Sequence, residues 1–306
     1  TEYQGDLYFV DTASAARQLW KRDAATGQVI SLGVVGDSEN DFFDARMVVA
    51  GGKLLFVGKN AATGYELWQS DGTSAGTKPL LDLSVGQDST LIRHLFADAA
   101  GQLAYFVAEQ SDGTRAVWRT DGTAAGTFVL QATGFVEEPS DRAPEWITAL
   151  NGQTVFLAYD AVNGWDLFST DGTVQGTQLF LDLTPGQSVY ASVNFRDAVS
   201  FQGEVYFQAN VPSTGNELWK SDGTPAGTQL AVDVRAGAVS GDPFGMTVFG
   251  NALYFIARST SLGRELHRWD GQNLSVIDLQ PGLPSSFLLT YDRDELVATS
   301  QGLFFR

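Results

Sequence analysis

Arginine and aromatic residues recur in the least repetitive segments of this 306-residue chain. The arginines stand near the starts of predicted strands, at Arg46, Arg93, Arg196 and Arg293. The side chains that accompany them are His94, Trp146, Tyr190, Phe244 and Tyr291. A guanidinium binds a carboxylate through two parallel hydrogen bonds. These residues therefore predict a binding site for a carboxylate or an acidic sugar. The alternative is that the arginines pair with neighbouring acids such as Asp44 and Asp197, as surface charges commonly do.

Acid–base chemistry has few candidates in this sequence. A glycoside-cleaving pair needs two acids roughly 5–10 Å apart, and Glu145 with Asp197 is the alternative that the sequence offers. His267 takes the place of a repeated tryptophan, which favours a packing role. The chain has no zinc-protease helix motif, phosphate-binding loop or Gly-x-Ser-x-Gly elbow. We therefore assign no catalytic residue.

The elements that must position these side chains are set by an internal repeat, read most clearly from Glu66 to Thr77. Its aromatic marker recurs at Trp20, Trp68, Trp118, Phe168 and Trp219, with His267 in the last copy. The spacings are 48, 50, 50, 51 and 48 residues. Units of this length are typical of four-stranded propeller blades.

One repeat, residues 193–234, illustrates the predicted unit. Its strands A to D are predicted at Val193–Phe201, Val205–Gln208, Glu217–Lys220 and Gln229–Val234, with a tight turn at Gln202-Gly203. Short β-branched and aromatic runs between Gly, Asn and Asp clusters predict strands and hairpins. We expect an all-β fold: a single β-propeller domain over 1–306, with blades of four antiparallel strands. Six blades are expected, with seven as the alternative.

Ring closure is expected at the C-terminal end. The first unit has only a short first strand at Thr1–Tyr3, and a spare strand A is predicted at Glu295–Thr299. We therefore expect residues 295–306 to close the ring near the first blade. Gly302–Arg306 is then an extra strand, which pairs at the seam or begins a seventh blade.

The repeated Asp-Gly-Thr phrase predicts a hairpin between strands C and D. The aspartate can accept backbone amides across the turn, and the glycine can take a positive φ. Calcium binding is the alternative interpretation, but Ca²⁺ takes six to eight oxygen ligands and one loop offers a single carboxylate. We expect no cofactor. The acid at the start of the phrase, for example Glu66 or Glu217, is expected to bond the adjacent B–C loop.

The phrase resembles that of the bacterial proteins named for their ELWxxDGT repeat, and the resemblance covers nearly the whole chain. Four copies carry the full signature, at Asp71–Thr77, Asp121–Thr127, Asp171–Thr177 and Asp222–Thr228. The first and last copies depart from it, at Asp23–Gly27 and Asp270–Asn273. The resemblance implies a secreted or cell-surface module, often part of a larger multidomain chain, and no established reaction.

Charge narrows the range of partners. The chain has 36 acidic and 19 basic residues, a formal net charge of −17. Such a surface repels phosphate backbones, so we expect no nucleic-acid partner. No apolar run approaches the roughly 20 residues of a membrane span, so no membrane insertion is expected. The first residues lack a signal-peptide pattern, which is compatible with prior removal.

These features favour a non-catalytic binding or scaffold propeller, extracellular or on the cell surface. Propellers as a class usually bind on the face made by the D–A and B–C loops, and variable loops on a rigid scaffold commonly carry function. We expect a glycan or protein ligand there. The alternative is a carbohydrate-active enzyme, a glycoside hydrolase or lyase, that uses acids and arginines in a central funnel.

Overall fold

The computed structural model describes residues 1–11, 16–37, 46–98, 100–109, 115–130, 147–150, 153–160, 164–182, 192–279, 281 and 296–305. In these ranges every regular element is a strand. None of the residues described forms a helix long and apolar enough to cross a membrane. The all-β prediction is confirmed.

Six four-stranded antiparallel sheets follow one another along the chain, each a simple meander. The first three sheets contain β1 (Glu2–Tyr3), β2 (Asp6–Val10), β3 (Ala16–Arg22) and β4 (Val29–Asp37); β5 (Met47–Ala50), β6 (Lys53–Asn60), β7 (Gly64–Ser70) and β8 (Lys78–Pro79); and β9 (Leu91–Ala97), β10 (Ala104–Glu109), β11 (Arg115–Thr120) and β12 (Phe128–Val129). The next three contain β13 (Ile147–Leu150), β14 (Gln153–Asp160), β15 (Gly164–Thr170) and β16 (Gln178–Leu181); β17 (Ser192–Phe201), β18 (Glu204–Val211), β19 (Gly215–Ser221) and β20 (Gln229–Val232); and β21 (Phe244–Phe249), β22 (Ala252–Ser259), β23 (Gly263–Trp269) and β24 (Leu274–Ile277). The predicted four-stranded units are confirmed.

The last two strands, β25 (Leu296–Thr299) and β26 (Gly302–Phe305), form a separate two-stranded sheet. At the other end of the chain, Glu2–Tyr3 pairs with β2 as a short first strand. The number of blades and the closure of the ring remain predictions.

Local geometry follows the turn residues. Strands A and B of the fifth sheet meet at Gln202 and Gly203, which both have positive φ, 53° and 82°. Two consecutive positive φ values match the right-handed twist of a tight hairpin. The turn predicted at these residues is confirmed.

Two compact units divide the chain: Thr1–Ala149 with Thr170–Gln178, and Leu150–Ser169 with Leu179–Arg306. In the first unit, Tyr8 and Leu19 of the first sheet share a buried cluster with Phe56 and Trp68 of the second. In the second unit, Tyr206 of the fifth sheet shares one with Phe255 of the sixth. Burying a side chain of this size contributes about 1.5–3 kcal/mol, so packing between the two sheets of each pair stabilises both.

Candidate functional site

The repeated Asp-Gly-Thr hairpins use their polar groups locally. A carboxylate oxygen of Asp71 accepts the Thr73 amide at 3.0 Å and the Thr73 hydroxyl at 2.6 Å. That hydroxyl in turn accepts the Gly76 amide at 3.0 Å. The same bonds recur around Asp121, Asp171 and Asp222. These hydrogen bonds from Thr73 stabilise the ionised form and lower the pKa of Asp71. The carboxylate therefore closes its own turn.

Sterics explain why the second glycine of the phrase recurs. A Cβ atom at Gly76 would overlap the carboxylate of Asp71, and the same holds for Gly126 over Asp121. Only a residue without a side chain leaves room for the turn-closing carboxylate. The described residues hold no group of three or more His, Cys, Asp or Glu side chains that could bind a metal ion.

Four of the sheets carry a fully buried acid in their third strand, toward the opposite end of the sheet: Glu66, Asp166, Glu217 and Glu265. Glu66 has no exposed surface, and its carboxylate accepts the Leu83 amide at 3.1 Å, the Ser84 amide at 3.2 Å and the Thr90 hydroxyl at 2.9 Å. Burial raises the pKa of Glu66 to about 7, although these three donors oppose the shift. The residues that Glu66 holds, 83–90, belong to the D–A segment that leads to the third sheet.

The fifth sheet repeats this arrangement. Glu217 is also fully buried and accepts the amides of Val234 at 2.9 Å and Gly241 at 2.6 Å, and burial raises its pKa to about 7. In the sixth sheet, Glu265 accepts the Leu279 amide at 3.4 Å. The expectation that these acids bond the B–C loop was wrong. The third strand of each sheet places the carboxylate against the D–A segment, whose amides donate to it.

The B–C turn and the D–A segment nevertheless touch. The Tyr65 amide donates to the Ser89 hydroxyl at 3.1 Å, and the Tyr65 carbonyl accepts the Thr90 amide at 2.8 Å. Gly64 has φ +64°, and a Cβ there would press on the Asp88 and Gln87 carbonyls. Glycine thus permits the close approach at which the two loops are hydrogen-bonded to each other.

A second repeated motif accompanies the buried acid. It was not predicted from the sequence. Each D–A segment of this kind opens with Asp-(Leu/Val)-x-x-Gly, at Asp82–Gly86, Asp182–Gly186, Asp233–Gly237 and Asp278–Gly282. The Asp82 carboxylate accepts the Gly86 amide at 3.2 Å, and Asp233 accepts Gly237 at 3.2 Å. The four-residue spacing between the aspartate and the glycine is visible in the sequence. The motif marks the segment whose backbone amides donate to the buried glutamate.

Two predicted ligand-binding residues lie at corresponding bulges in the first strands of their sheets. The pairing of β9 with β10 shifts after Arg93, and that of β21 with β22 shifts after Phe244. The next residues, His94 and Gly245, have φ of 55° and 65°. A bulge redirects side chains, and strained non-glycine residues concentrate at functional sites. Arg93 is exposed and His94 is partly buried.

Phe244 is part of a charged cluster in the second unit. The guanidinium of Arg264 lies 5.3 Å from the centre of the Phe244 ring and 3.8 Å from a carboxylate oxygen of Asp242. The Asn216 side-chain amide donates to the other Asp242 oxygen at 3.3 Å. Arg264 is buried, so the protein orients its guanidinium through both an aromatic and an acidic partner.

The remaining predicted site residues are distributed as follows. Arg46 is exposed just before β5. Arg196 and Asp197 lie in β17, between residues 194 and 199 where the pairing with β18 is interrupted. The predicted positions that fall outside the described residues are Glu145, Trp146, Tyr190, Tyr291 and Arg293.

His267 is a packing residue, as predicted. It is fully buried, and its ring stacks on Phe255 with centroids 5.4 Å apart. Burial lowers its pKa, so the neutral form is favoured inside the protein.

The residue before the repeated acid, or before the Gln18 or Ala116 that replaces it, changes from sheet to sheet. At this position stand Arg17, Tyr65, Arg115, Trp165, Asn216 and Arg264. In the second sheet the Tyr65 hydroxyl donates to Asp37 at 3.3 Å, and Lys59 lies 5.1 Å from the centre of the Tyr65 ring. Arg, Tyr and Trp are the residue types enriched at the energetic centres of interfaces. A constant scaffold thus presents a variable side chain at the loop end.

Comparisons with known proteins give structural likeness only. No family model matches the chain, and no curated protein matches it. Solved structures that resemble it include a puromycin hydrolase, at 14% identity and TM-score 0.46 over 96% of this chain and 46% of that one. A prolyl endopeptidase structure resembles it at 13% identity and TM-score 0.49 over 92% of this chain and 42% of that one. A putative TolB from Agrobacterium tumefaciens does so at 12% identity and TM-score 0.39 over 89% of this chain and 94% of that one. The chain spans less than half the length of the hydrolase and endopeptidase chains.

Proposed function

We propose that this chain is a non-catalytic binding propeller that recognises a glycan or protein ligand through the D–A and B–C end of its sheets. In this proposal the six sheets are six blades and β25–β26 closes the ring near the first blade; the alternative is that β25–β26 begins a seventh blade. It is a secreted or cell-surface module of the ELWxxDGT-repeat type, part of a larger multidomain chain, and has no nucleic-acid partner.

The observation that carries the proposal is the contrast between the two ends of a sheet. At the C–D hairpins each repeated aspartate carboxylate accepts hydrogen bonds from its own turn. At the other end, Glu66 and Glu217 hold the D–A segments against the B–C turns, and the side chain beside each acid varies. A rigid support with variable side chains reduces the ordering cost of binding.

The charges at this end favour a ligand with carboxylate or hydroxyl groups. Arg93 and Arg46 are exposed there, on a chain with only 19 basic residues. Arginine suits the planar recognition of a carboxylate. An acidic saccharide is therefore the first ligand to test.

Glycan-array binding combined with turnover assays on every hit tests the proposal. We expect binding without product, a loss of at least tenfold in affinity for Arg93→Ala, and no change for Arg22→Ala. Arg22 is the matched control because it is an exposed arginine in the strand that leads to the first C–D turn. Turnover that Glu145→Gln abolishes would instead support the carbohydrate-active enzyme. Equal losses in Arg93→Ala and Arg22→Ala would contradict the loop-end assignment.

A further inference from the structure

Two arginines lie directly opposite each other at the loop end of the sixth sheet. Arg258, near the end of β22, pairs in register with Arg264, near the start of β23. Directly opposed side chains share one face of a sheet, with their Cβ atoms about 4.5–5.5 Å apart, and like charges in such a pair are destabilising. The sixth sheet therefore keeps a local positive charge at a cost in stability, on a chain whose formal net charge is −17.

The two guanidinium groups differ in their surroundings. Arg264 is only 6% exposed, and its guanidinium is oriented by the Phe244 ring and the Asp242 carboxylate. Arg258 is exposed, and among the residues that the structure describes no acidic side chain forms an ion pair with it. One carboxylate thus stands beside two guanidinium groups, and the cluster retains a positive charge.

The backbone that carries Asp242 is held from both neighbouring sheets. In the sixth sheet, the Arg258 amide donates to the Gly241 carbonyl at 2.7 Å. In the fifth sheet, the Asn216 carbonyl accepts the amides of Gly241 at 3.1 Å and Asp242 at 3.0 Å. Asp242 has a φ of 50°, a strained conformation of the kind that concentrates at functional sites. Asp242 and Arg264 are therefore placed before a ligand binds, which lowers the ordering cost of binding.

The acid beside the arginines selects among carboxylate ligands. The Asp242 carboxylate repels a second carboxylate, but it can accept hydrogen bonds from hydroxyl groups. A sugar acid carries one carboxylate and several hydroxyl groups on the same ring, which matches guanidinium groups that stand beside a carboxylate. An acidic peptide offers the carboxylates without the hydroxyl groups, so the cluster favours the saccharide.

We propose that Arg258 and Arg264 bind the carboxylate of an acidic saccharide, while Asp242 accepts a hydroxyl of the same sugar. Arg258 provides the two parallel hydrogen bonds of a guanidinium–carboxylate pair, and Arg264 adds positive charge from its fixed position. This subsite rests on the proposed function, because it lies at the loop end of the sheets. It assigns the acidic group of the ligand to the sixth sheet.

Isothermal titration calorimetry with trigalacturonate tests the subsite. The methyl ester of this sugar keeps its hydroxyl groups and lacks the charges, and a triglutamate peptide keeps carboxylates and lacks the sugar hydroxyls. We expect the native chain to bind trigalacturonate more tightly than either of these controls. In Arg258→Ala the affinity for trigalacturonate should fall by about tenfold or more, since hydrogen bonds between charged groups are the stronger ones.

Arg268→Ala is the matched control variant. Arg268 lies in the same strand, β23, toward the C–D turn, and its guanidinium is 3.6 Å from a carboxylate oxygen of Asp270. The change removes the same charge at the other end of the sheet, so we expect affinity within about twofold of the native chain at physiological salt, where distant charges are screened. Near-unchanged thermal unfolding of both variants would verify that the fold is kept.

Three results would overturn the subsite: no binding of trigalacturonate by the native chain, equal affinity for the triglutamate peptide, or equal losses in Arg258→Ala and Arg268→Ala. A saccharide from the array whose affinity falls in Arg93→Ala but not in Arg258→Ala would also overturn it, and would leave the proposed function standing. A chain that binds no saccharide on the array would contradict the subsite and the glycan-binding proposal together.

Discussion

The hydroxyl of Thr90 lies 2.9 Å from a carboxylate oxygen of Glu66, so a buried acid in the third strand of one sheet holds the segment that leads to the next. Glu217 holds Gly241 in the same way at 2.6 Å. Two copies of the repeat thus use a buried carboxyl group to order the loops at one end of their sheets.

Replacing Glu66 by glutamine should loosen this arrangement. The amide group keeps one acceptor but turns a donor toward the donors of residues 83, 84 and 90. At pH 5, below the raised pKa of Glu66, we expect the free energy of unfolding to fall by about 1–3 kcal/mol, the usual cost of leaving a buried polar group unsatisfied. Denaturant unfolding measures it, and Glu2→Gln, at an exposed position, is the matched control. Equal stability of Glu66→Gln and the native chain would contradict the role of Glu66.

Stability should depend on pH through the same acids. Burial raises the pKa of Glu66 and of Glu217 from 4.5 to about 7, so between these values the folded chain binds more protons than the unfolded one. Their contribution is fully present below about pH 4.5 and is lost as the pH rises through about 7. Unfolding measured from pH 4.5 to 8 should show this fall, and a Glu66→Gln, Glu217→Gln chain should show a flatter profile. An unchanged slope in the double variant would show that other groups cause it.

The C–D hairpins should not tolerate a methyl group at their second glycine. In Gly76→Ala the new Cβ would overlap the Asp71 carboxylate, so the turn must open and lose its bonds to Thr73. We expect a loss of about 1–3 kcal/mol, in the range of overpacking substitutions. Ser74→Ala, at an exposed position of the same turn, should stay within about 0.5 kcal/mol of the native chain. Similar effects of the two changes would argue against the steric explanation.

The bulge at His94 should accept glycine but reject a β-branched residue. Its φ of 55° is matched by Gly245 at the corresponding bulge, and strained backbone of this kind costs about 1–3 kcal/mol. We expect His94→Val to lower the thermal unfolding temperature more than His94→Gly does, because only glycine takes the positive φ without strain. If both variants unfold alike, the bulge does not depend on this conformation.

The sequence predicted the parts of the fold that depend on local chemistry. The Gln202-Gly203 turn and the closed Asp71 hairpin follow from turn residues, and the strands from short apolar runs between them. The partner of Glu66 could not be predicted, because it depends on how the D–A segment returns across the sheet. The bulges after Arg93 and Phe244 depend on pairing with the next strand. The contact of Arg264 with Phe244 joins residues 20 positions apart in sequence, which no local pattern reveals.

The most direct test of the account is a hydrogen-exchange footprint of the chain with a ligand identified on the glycan array. We predict protection of residues 83–95 and 234–244, where the acid-held segments and the bulges lie, and none at residues 71–77 or 222–228. Protection concentrated at the Asp-Gly-Thr hairpins, with the D–A segments unchanged, would contradict the assignment of the loop end as the binding surface.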